Sequence, residues 1–482
     1  MSAFFVPRLR PDPRAFLRPV RLVRGEYARA YSGLPRRAWI LFAVNLVNAS
    51  GAMVFFFLSL YLTREMGLTA AKAGQALSLY GFGSLAGAFA GGWLSDRMGS
   101  IRVQKMSLAV TGVLLIALGQ VRSVAGILPL LFGMALFAGM LYPANATSMA
   151  MVCPPDLQVK GFALNRLANN LGATIGPAVG GMLAVRSYGL LFWADGLTSL
   201  AAAAVFALLW KGARDAKNGR DAAGGAGAGA GSGAAAGAKP TGRAEPAGSE
   251  QRDAALGEAG GIGRPESGEE EATRAGEMTG PARAVASKRA PMGRSPWRDA
   301  PFLLMQVIFF FWSMVFIQVL STFPIYMRNV YGLAENRIGQ LYPVNTILIV
   351  LLEMILMEKI RKYPRTRMIN VSFLLLGLGL GLMPLGRGFW FGALTVAIWT
   401  FGEMLSMPLV TALVSQRADD SNRGRYMGMN SFSFSLAFIA GPAAGLAIYD
   451  GLGPDAVWFV CAATCVVITI AFSALRPALA KR

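Results

Sequence analysis

Glu403 lies in the middle of an apolar run, in the string Trp399-Thr-Phe-Gly-Glu-Met-Leu-Ser-Met-Pro408. A carboxylate inside a membrane span is costly unless it faces a cavity, a partner or an ion path. Hydrocarbon disfavours its charged form, which suits such a group to take up and release a proton during a transport cycle. The alternative is a structural glutamate held by hydrogen bonds. Glu353 and Asp195, in two further apolar runs, are the other candidate proton-coupling groups, whereas Glu358 and Asp450 sit at run ends within reach of water. Arg166 stands about one turn into its run, where it can snorkel to the surface or pair with an acid.

Other chemistries lack the residues they need. The chain has no histidine, and Cys153, Cys461 and Cys465 have no spacing that implies a disulfide framework or a zinc site. No G-x4-G-K-[ST] loop occurs, which argues against an ATP-driven pump. An enzyme is not expected, nor a metal or a cofactor; protons are the expected coupling ion.

These groups must be positioned by membrane helices. With 54% hydrophobic and 15% charged residues over 482 positions, the chain is too apolar for a soluble protein of its length. The net charge of +20 would suit nucleic acid. The cations lie between apolar runs instead, where anionic lipid and membrane topology favour them, so no nucleic-acid partner is expected. The expected partners are the bilayer and a small-molecule solute, with the chain acting as a monomer.

Twelve runs of roughly twenty residues are long enough to span a bilayer. They fall near 38–62, 73–94, 104–122, 125–151, 161–184, 189–210, 302–327, 336–358, 366–386, 388–414, 428–449 and 453–474. Odd-numbered connections hold few cations (Arg122, Arg186, Arg387), and even-numbered ones are basic, as at Lys359–Arg367 and Arg417–Arg425. That asymmetry predicts both termini in the cytoplasm of a cell membrane; the Ala, Gly and Arg richness fits a bacterial inner membrane. Residues 1–37 read as a basic cytoplasmic arm on anionic lipid, 38–210 as one bundle, 211–300 as a disordered Gly/Ala-rich linker, 301–475 as a second bundle and 476–482 as a tail.

The two bundles repeat one another. A constant shift of 265 carries Tyr61 to Tyr326, Gly67-Leu68 to Gly332-Leu333, Gly74-Gln75 to Gly339-Gln340, Gly176-Pro177 to Gly441-Pro442, Gly180 to Gly445 and Trp193 to Trp458. A duplicated six-helix bundle with a midplane site between its halves follows, an all-α membrane fold. Gly172, Gly176, Gly180 and Gly181 are read as one close-packing stripe, with Pro177 as a kink, and Gly441, Pro442 and Gly445 repeat it.

Between the second and third runs lies Gly91-Gly-Trp-Leu-Ser-Asp-Arg-Met-Gly-Ser-Ile-Arg102. This string resembles the loop between the second and third helices of major facilitator superfamily transporters, roughly G-x-L-x-D-R-x-G-R-[KR]. Gly92, Leu94, Asp96, Arg97 and Gly99 fit it, and Arg102 replaces the charge missing at Ser100. The fifth run, G-x3-G-P-x2-G-G from Gly172, resembles the fifth-helix motif of the superfamily's twelve-span proton-coupled drug antiporters, with Ala163 where that motif has a further glycine. The resemblance covers the chain apart from the basic arm and the linker. It implies the major facilitator fold, alternating access and export. It also implies that Asp96 bridges to the amino end of the eleventh helix, near Tyr426–Asn430, and latches the outward-open state. Two features depart from the pattern: no arginine lies between Leu128 and Tyr142, and Ser148–Val152 holds no acid.

If the superfamily arrangement carries over, the central cavity takes its lining from the first, fourth, seventh and tenth spans. There stand Asn45, Asn48, Phe55, Tyr142, Asn145, Trp312, Gln318, Tyr326, Trp399 and Glu403, and Asn345 joins them from the eighth. Aromatic surface with a few amides and one acid suits amphipathic or cationic organic solutes, and the arginine cluster a phosphate would need is absent. Proton-coupled efflux is therefore the expected function. An uptake symporter would use the same cavity, and a non-transporting receptor or scaffold is the alternative outside transport; the internal symmetry and the intact loop motif argue against the latter.

Overall fold

A computed structural model describes residues 32–229, 295–419 and 422–480, with the backbone alone for 211–229. The first span is a broken helix, α1 (Arg36–Gly51) and α2 (Val54–Arg64). Then come α3 (Ala70–Met98), α4 (Ser100–Gln120), α5 (Val124–Val152), α6 (Gln158–Arg186) and α7 (Tyr188–Gly229). The second half holds α8 (Ala300–Ser321), α9 (Phe323–Asn329), α10 (Glu335–Ile360), α11 (Arg365–Gly381), α12 (Phe389–Arg417), α13 (Arg423–Leu452) and α14 (Ala456–Ala480). No strand occurs among the described residues. Each expected span coincides with a helix or a broken pair, and α7 continues past residue 210, where the sequence ends the sixth span. Residues 1–31 of the basic arm, 230–294 of the linker and 481–482 of the tail lie outside the described residues.

The sequence sets the helix ends locally. Thr69 caps α3 by accepting from the Lys72 N–H, Ser123 caps α5 from Gly126, and Asp299 caps α8 from Phe302. Gly99, at φ +88°, lets α3 turn directly into α4. The loop motif, Arg36 and the last turn of α14 define one end of the bundle, here the motif end.

Among the described residues, ten spans are long and apolar enough to cross a membrane by composition alone; α3 and α6, each of 29 residues, are not among them. The reason is packing. α3 lies against α5 and α13, and α6 against α1 and α10, so small residues replace bulky apolar ones along both. Gly83, Gly87 and Gly91 form an i, i+4, i+8 row on α3, facing α5, where any Cβ would strike Phe132, Leu136 or Met140. Gly172, Gly176 and Gly180 face Ala49–Met53 of the first span, and Gly441 and Gly445 face Ile317 and Gln318 of α8, the same contact shifted by 265. Gly181 departs from the expected stripe: one residue on, about 100° around the helix, it meets Glu335 and Asn336 of α10.

The halves meet away from the motif end. Gly74 of α3 lies against the Pro442 carbonyl of α13, and its counterpart Gly339 of α10 against the Pro177 carbonyl of α6. Phe55 stacks on Phe438 at 5.7 Å, and Phe56 meets Tyr342 edge-on at 4.8 Å. At the motif end Asp96, Tyr142 and Met151 are exposed. The halves are thus closed on one another at the end away from the motif.

Gly87→Val, in the tightest of these rows, should lower stability by about 1–3 kcal/mol through overpacking. Gly92→Ala, where an added Cβ meets nothing within 4 Å, should stay within about 0.5 kcal/mol of the parent. Thermal unfolding of the detergent-solubilised protein distinguishes them.

Candidate functional site

Glu403 sits at the middle of α12, partly buried, and faces α10. The Asn345 amide donates to Glu403 Oε2 at 2.7 Å and to Thr400 Oγ1, one turn earlier, at 3.0 Å. Deeper towards the motif end, Arg166 of α6 donates to Glu353 Oε1 of α10, an ion pair between the two halves. Glu353 and Arg166 lie close enough to act on Glu403 electrostatically. Thr174 of α6 donates to Thr346 Oγ1 of α10 at 2.8 Å, so the α6–α10 seam is polar along its length. The structure thus gathers Glu403, Asn345, Glu353 and Arg166 into one cluster.

Asp195 stands elsewhere. It is 6% exposed on α7, and its Oδ2 accepts the backbone N–H groups of Met53 (3.1 Å) and Val54 (3.0 Å) at the break in the first span. The Met53 N–H also reaches the Gly51 carbonyl at 2.6 Å, and donors freed at a helix break in hydrocarbon need such partners. A cavity of about 130 Å³ adjoins the carboxylate, lined also by Asn48, Tyr80, Thr111 and Ser199. Asn48 and Asp195 therefore share a pocket within the first half, apart from the Glu403 cluster.

The remaining expected lining residues divide. Asn45 donates to Asn165 Oδ1 and Asn169 Oδ1, both at 2.9 Å, and ties α1 to α6. Gln318 donates to the Met314 and Gly441 carbonyls at 2.9 Å and accepts from the Thr322 hydroxyl at 2.7 Å, so it ties α8 to α13 beside the α8–α9 break. Tyr326 donates to Asp455 Oδ1. Tyr142 is 77% exposed. Asn145, Trp312 and Trp399 are buried, yet Asn145 Oδ1 and both indole N–H groups find no hydrogen-bond partner among the described residues. In the loop motif Arg97 lies over the Trp93 ring at 3.9 Å, Arg102 is exposed, and Asp96 makes no hydrogen bond or ion pair among the described residues.

One cluster was not read from the sequence. Arg417, the last residue of α12, grips Asp299 through both carboxylate oxygens at 2.6 Å, and Tyr426 donates to Oδ2 at 3.0 Å. Tyr426, expected beside Asp96, is engaged here instead. Burial works to raise the Asp299 carboxyl, but Arg417, the Phe302 N–H and Tyr426 outweigh it and hold the group below its ordinary value. Shifted back by 265, the same corner of the first half is apolar, around Leu34, Met149, Cys153 and Leu164. Gln306, 5% exposed with neither amide atom partnered among the described residues, was also missed. The available signal was the same for both: a polar residue in or beside an apolar run.

Two pseudo-symmetric bundles around a polar mid-depth cluster, shut at one end, define a multi-pass membrane transporter of the alternating-access type. The family model described as Major Facilitator Superfamily matches residues 40–422 and 360–482, and the chain belongs to that family. It is similar to a Na(+), Li(+), K(+)/H(+) antiporter of Planococcus maritimus, 22% identical over 415 residues, 82% of this chain and 85% of that one. It is also similar to the uncharacterized MFS-type transporter YttB of Bacillus subtilis (strain 168), 22% identical over 423 residues, 87% and 90% of the two chains. Among solved structures, a POT family transporter in complex with 5-aminolevulinic acid superposes with a TM-score of 0.68 at 14% identity, covering 94% of this chain and 98% of the other. The protein is a secondary transporter and not an enzyme.

Replacing Arg417 by Met should cost about 3–5 kcal/mol, because it strands a buried carboxylate. The depressed Asp299 group contributes its stability in full above the ordinary aspartate value near ~4 and loses it as pH falls through the lower folded value. The unfolding-midpoint difference between the parent and Asp299→Asn should therefore stay constant above about pH 4 and shrink as pH falls from there through the lower folded value.

Proposed function

We propose that the protein exports small amphipathic or cationic organic solutes in exchange for protons, with the motif end in the cytoplasm of a bacterial inner membrane. The observation that carries this reading is Glu403, a mid-span carboxylate bound by Asn345 beside the cross-half Arg166–Glu353 pair. A neutral Glu403 suits a dry, closed site, and an ionised one suits a site holding a cation. Arg166 and Glu353 belong to different halves, so rocking changes the charge that Glu403 faces. The unpartnered polar atoms of Asn145, Trp312 and Trp399 support a solute with hydrogen-bonding groups on an aromatic body. The basic even-numbered connections support the orientation.

A second reading is exchange of monovalent inorganic cations for protons. It draws on the Planococcus maritimus relative's name and on the Asp195 pocket, with its carboxylate, hydroxyls and amide. An uptake symporter would use the same groups in the opposite coupling sense.

Efflux of a fluorescent lipophilic cation from energised cells tests the first reading. Cells making the protein should accumulate less dye, and an uncoupler or Glu403→Gln should abolish the difference. Dye that leaves equally well with Gln at 403 would sink the carboxylate's role. If no dye moves, but Na+ or K+ discharges a proton gradient in everted vesicles, the second reading replaces the first.

A further inference from the structure

The cavity of about 130 Å³ beside Asp195 lies within the first half, and the Glu403 cluster makes no use of it. Asp195 Oδ2 takes the Met53 and Val54 N–H groups, and Oδ1 makes no hydrogen bond among the described residues. Two N–H groups at the start of α2 offset only part of a full negative charge, and an ionised carboxylate has room for about four partners. Around it stand hydroxyls in the same condition. Ser199, one turn along α7, is 2% exposed and lines the cavity with its hydroxyl unpaired among the described residues. Thr111 Oγ1, on α4, is buried without a partner among the described residues. The Asn48 amide and the Tyr80 hydroxyl complete the set, and Tyr80 lies close enough to feel the Asp195 charge.

The second half shows that the fold does not require these groups. Shifted by 265, Asp195 becomes Val460, Ser199 becomes Thr464 and Thr111 becomes Leu376. Val460 and Thr464 line a cavity of about 190 Å³ with no acid in its lining. The chain breaks beside it all the same, between α8 and α9.

Donor chemistry sets the class of occupant. Carboxylate, hydroxyl and amide oxygens suit a hard cation rather than a soft one. One carboxylate balances one positive charge, and a divalent ion would leave a net charge in a low-dielectric site. We propose that the Asp195 cavity is a binding site for an alkali cation, held by Asp195 Oδ1 with Thr111, Ser199 and the side-chain oxygen of Asn48. Because Asp195 Oδ2 holds the start of α2, the bound ion also stiffens the break in the first span. The proposal deepens the cation-exchange reading above, and it rests on that reading only for the ion's passage across the membrane.

Binding is therefore read without transport. The thermal midpoint of the detergent-solubilised protein is followed as NaCl or KCl replaces N-methylglucamine chloride at constant ionic strength. The midpoint should climb along a one-site saturation curve, the course expected when an ion binds the folded chain alone. Asp195→Asn keeps an oxygen for the Met53 and Val54 N–H groups and should abolish the rise. Thr111→Val and Ser199→Ala should each raise the half-saturating cation concentration about tenfold, as loss of one oxygen partner of a charge implies. No saturable rise with either salt, an equal rise in Asp195→Asn, or half-saturation unchanged in both hydroxyl variants would each overturn the proposal. So would a rise lost in Glu403→Gln but kept in Asp195→Asn, which would place the ion at the other cluster. Should Asp195→Asn fail to fold, the two hydroxyl variants decide. A saturable rise in protein that moves no protons when Na+ or K+ is added to everted vesicles would support the site and sink the exchange reading.

Discussion

The fold depends on backbone approaching backbone at two places, Gly74 with Pro442 and Gly339 with Pro177. Lipid supplies no hydrophobic drive between helices, so association there rests on close packing and polar contacts. Glycine admits the neighbouring chain at each place, and duplication sets the two contacts symmetrically about the axis relating the halves. Both lie towards the closed end. The aromatic plug of Phe55, Phe56, Tyr342 and Phe438 sits beside them, and the Glu403 cluster lies on the motif side of that plug.

The duplicated halves have diverged in their polar groups rather than in their packing. Both spans that open a half are broken. In the first the break is satisfied by a carboxylate from another helix, Asp195; in the second, the Thr322 N–H keeps a helical partner in the Gln318 carbonyl, and the Gln318 side chain takes the Thr322 hydroxyl. At the motif end the second half is pinned by Asp299, Arg417 and Tyr426, and the first by apolar contacts. Asp195 and Asp299, which bear structure, are therefore separated in space from Glu403 and Glu353.

Spans and duplication were legible because both are long-range regularities of apolar length and spacing. The Gly176-Pro177 and Gly441-Pro442 contacts followed from the same register. What a side chain does inside a span was less legible. Nothing around Asn45 announces Asn165, some 120 residues on, and nothing around Asp195 announces the break at Ala52–Met53, for which Gly51 is a faint sign. Asp299 read as the end of a linker because its partner Arg417 is a hundred residues away. Glu403 was legible since an acid in hydrocarbon is costly whatever surrounds it, whereas Asn345 was placed only as a possible neighbour from the eighth span.

The two helices too rich in small residues to enter a membrane on composition alone, α3 and α6, both belong to the first half. Each is flanked by one helix of its own half and one of the other. During synthesis the ribosome delivers them long before α10 and α13 exist. They must then be retained by α1 and α5, with their second faces turned to lipid until the later half arrives. Membrane integration of this chain is accordingly a joint property of neighbouring segments, and the first half's hold on the bilayer is completed by helices translated after the linker.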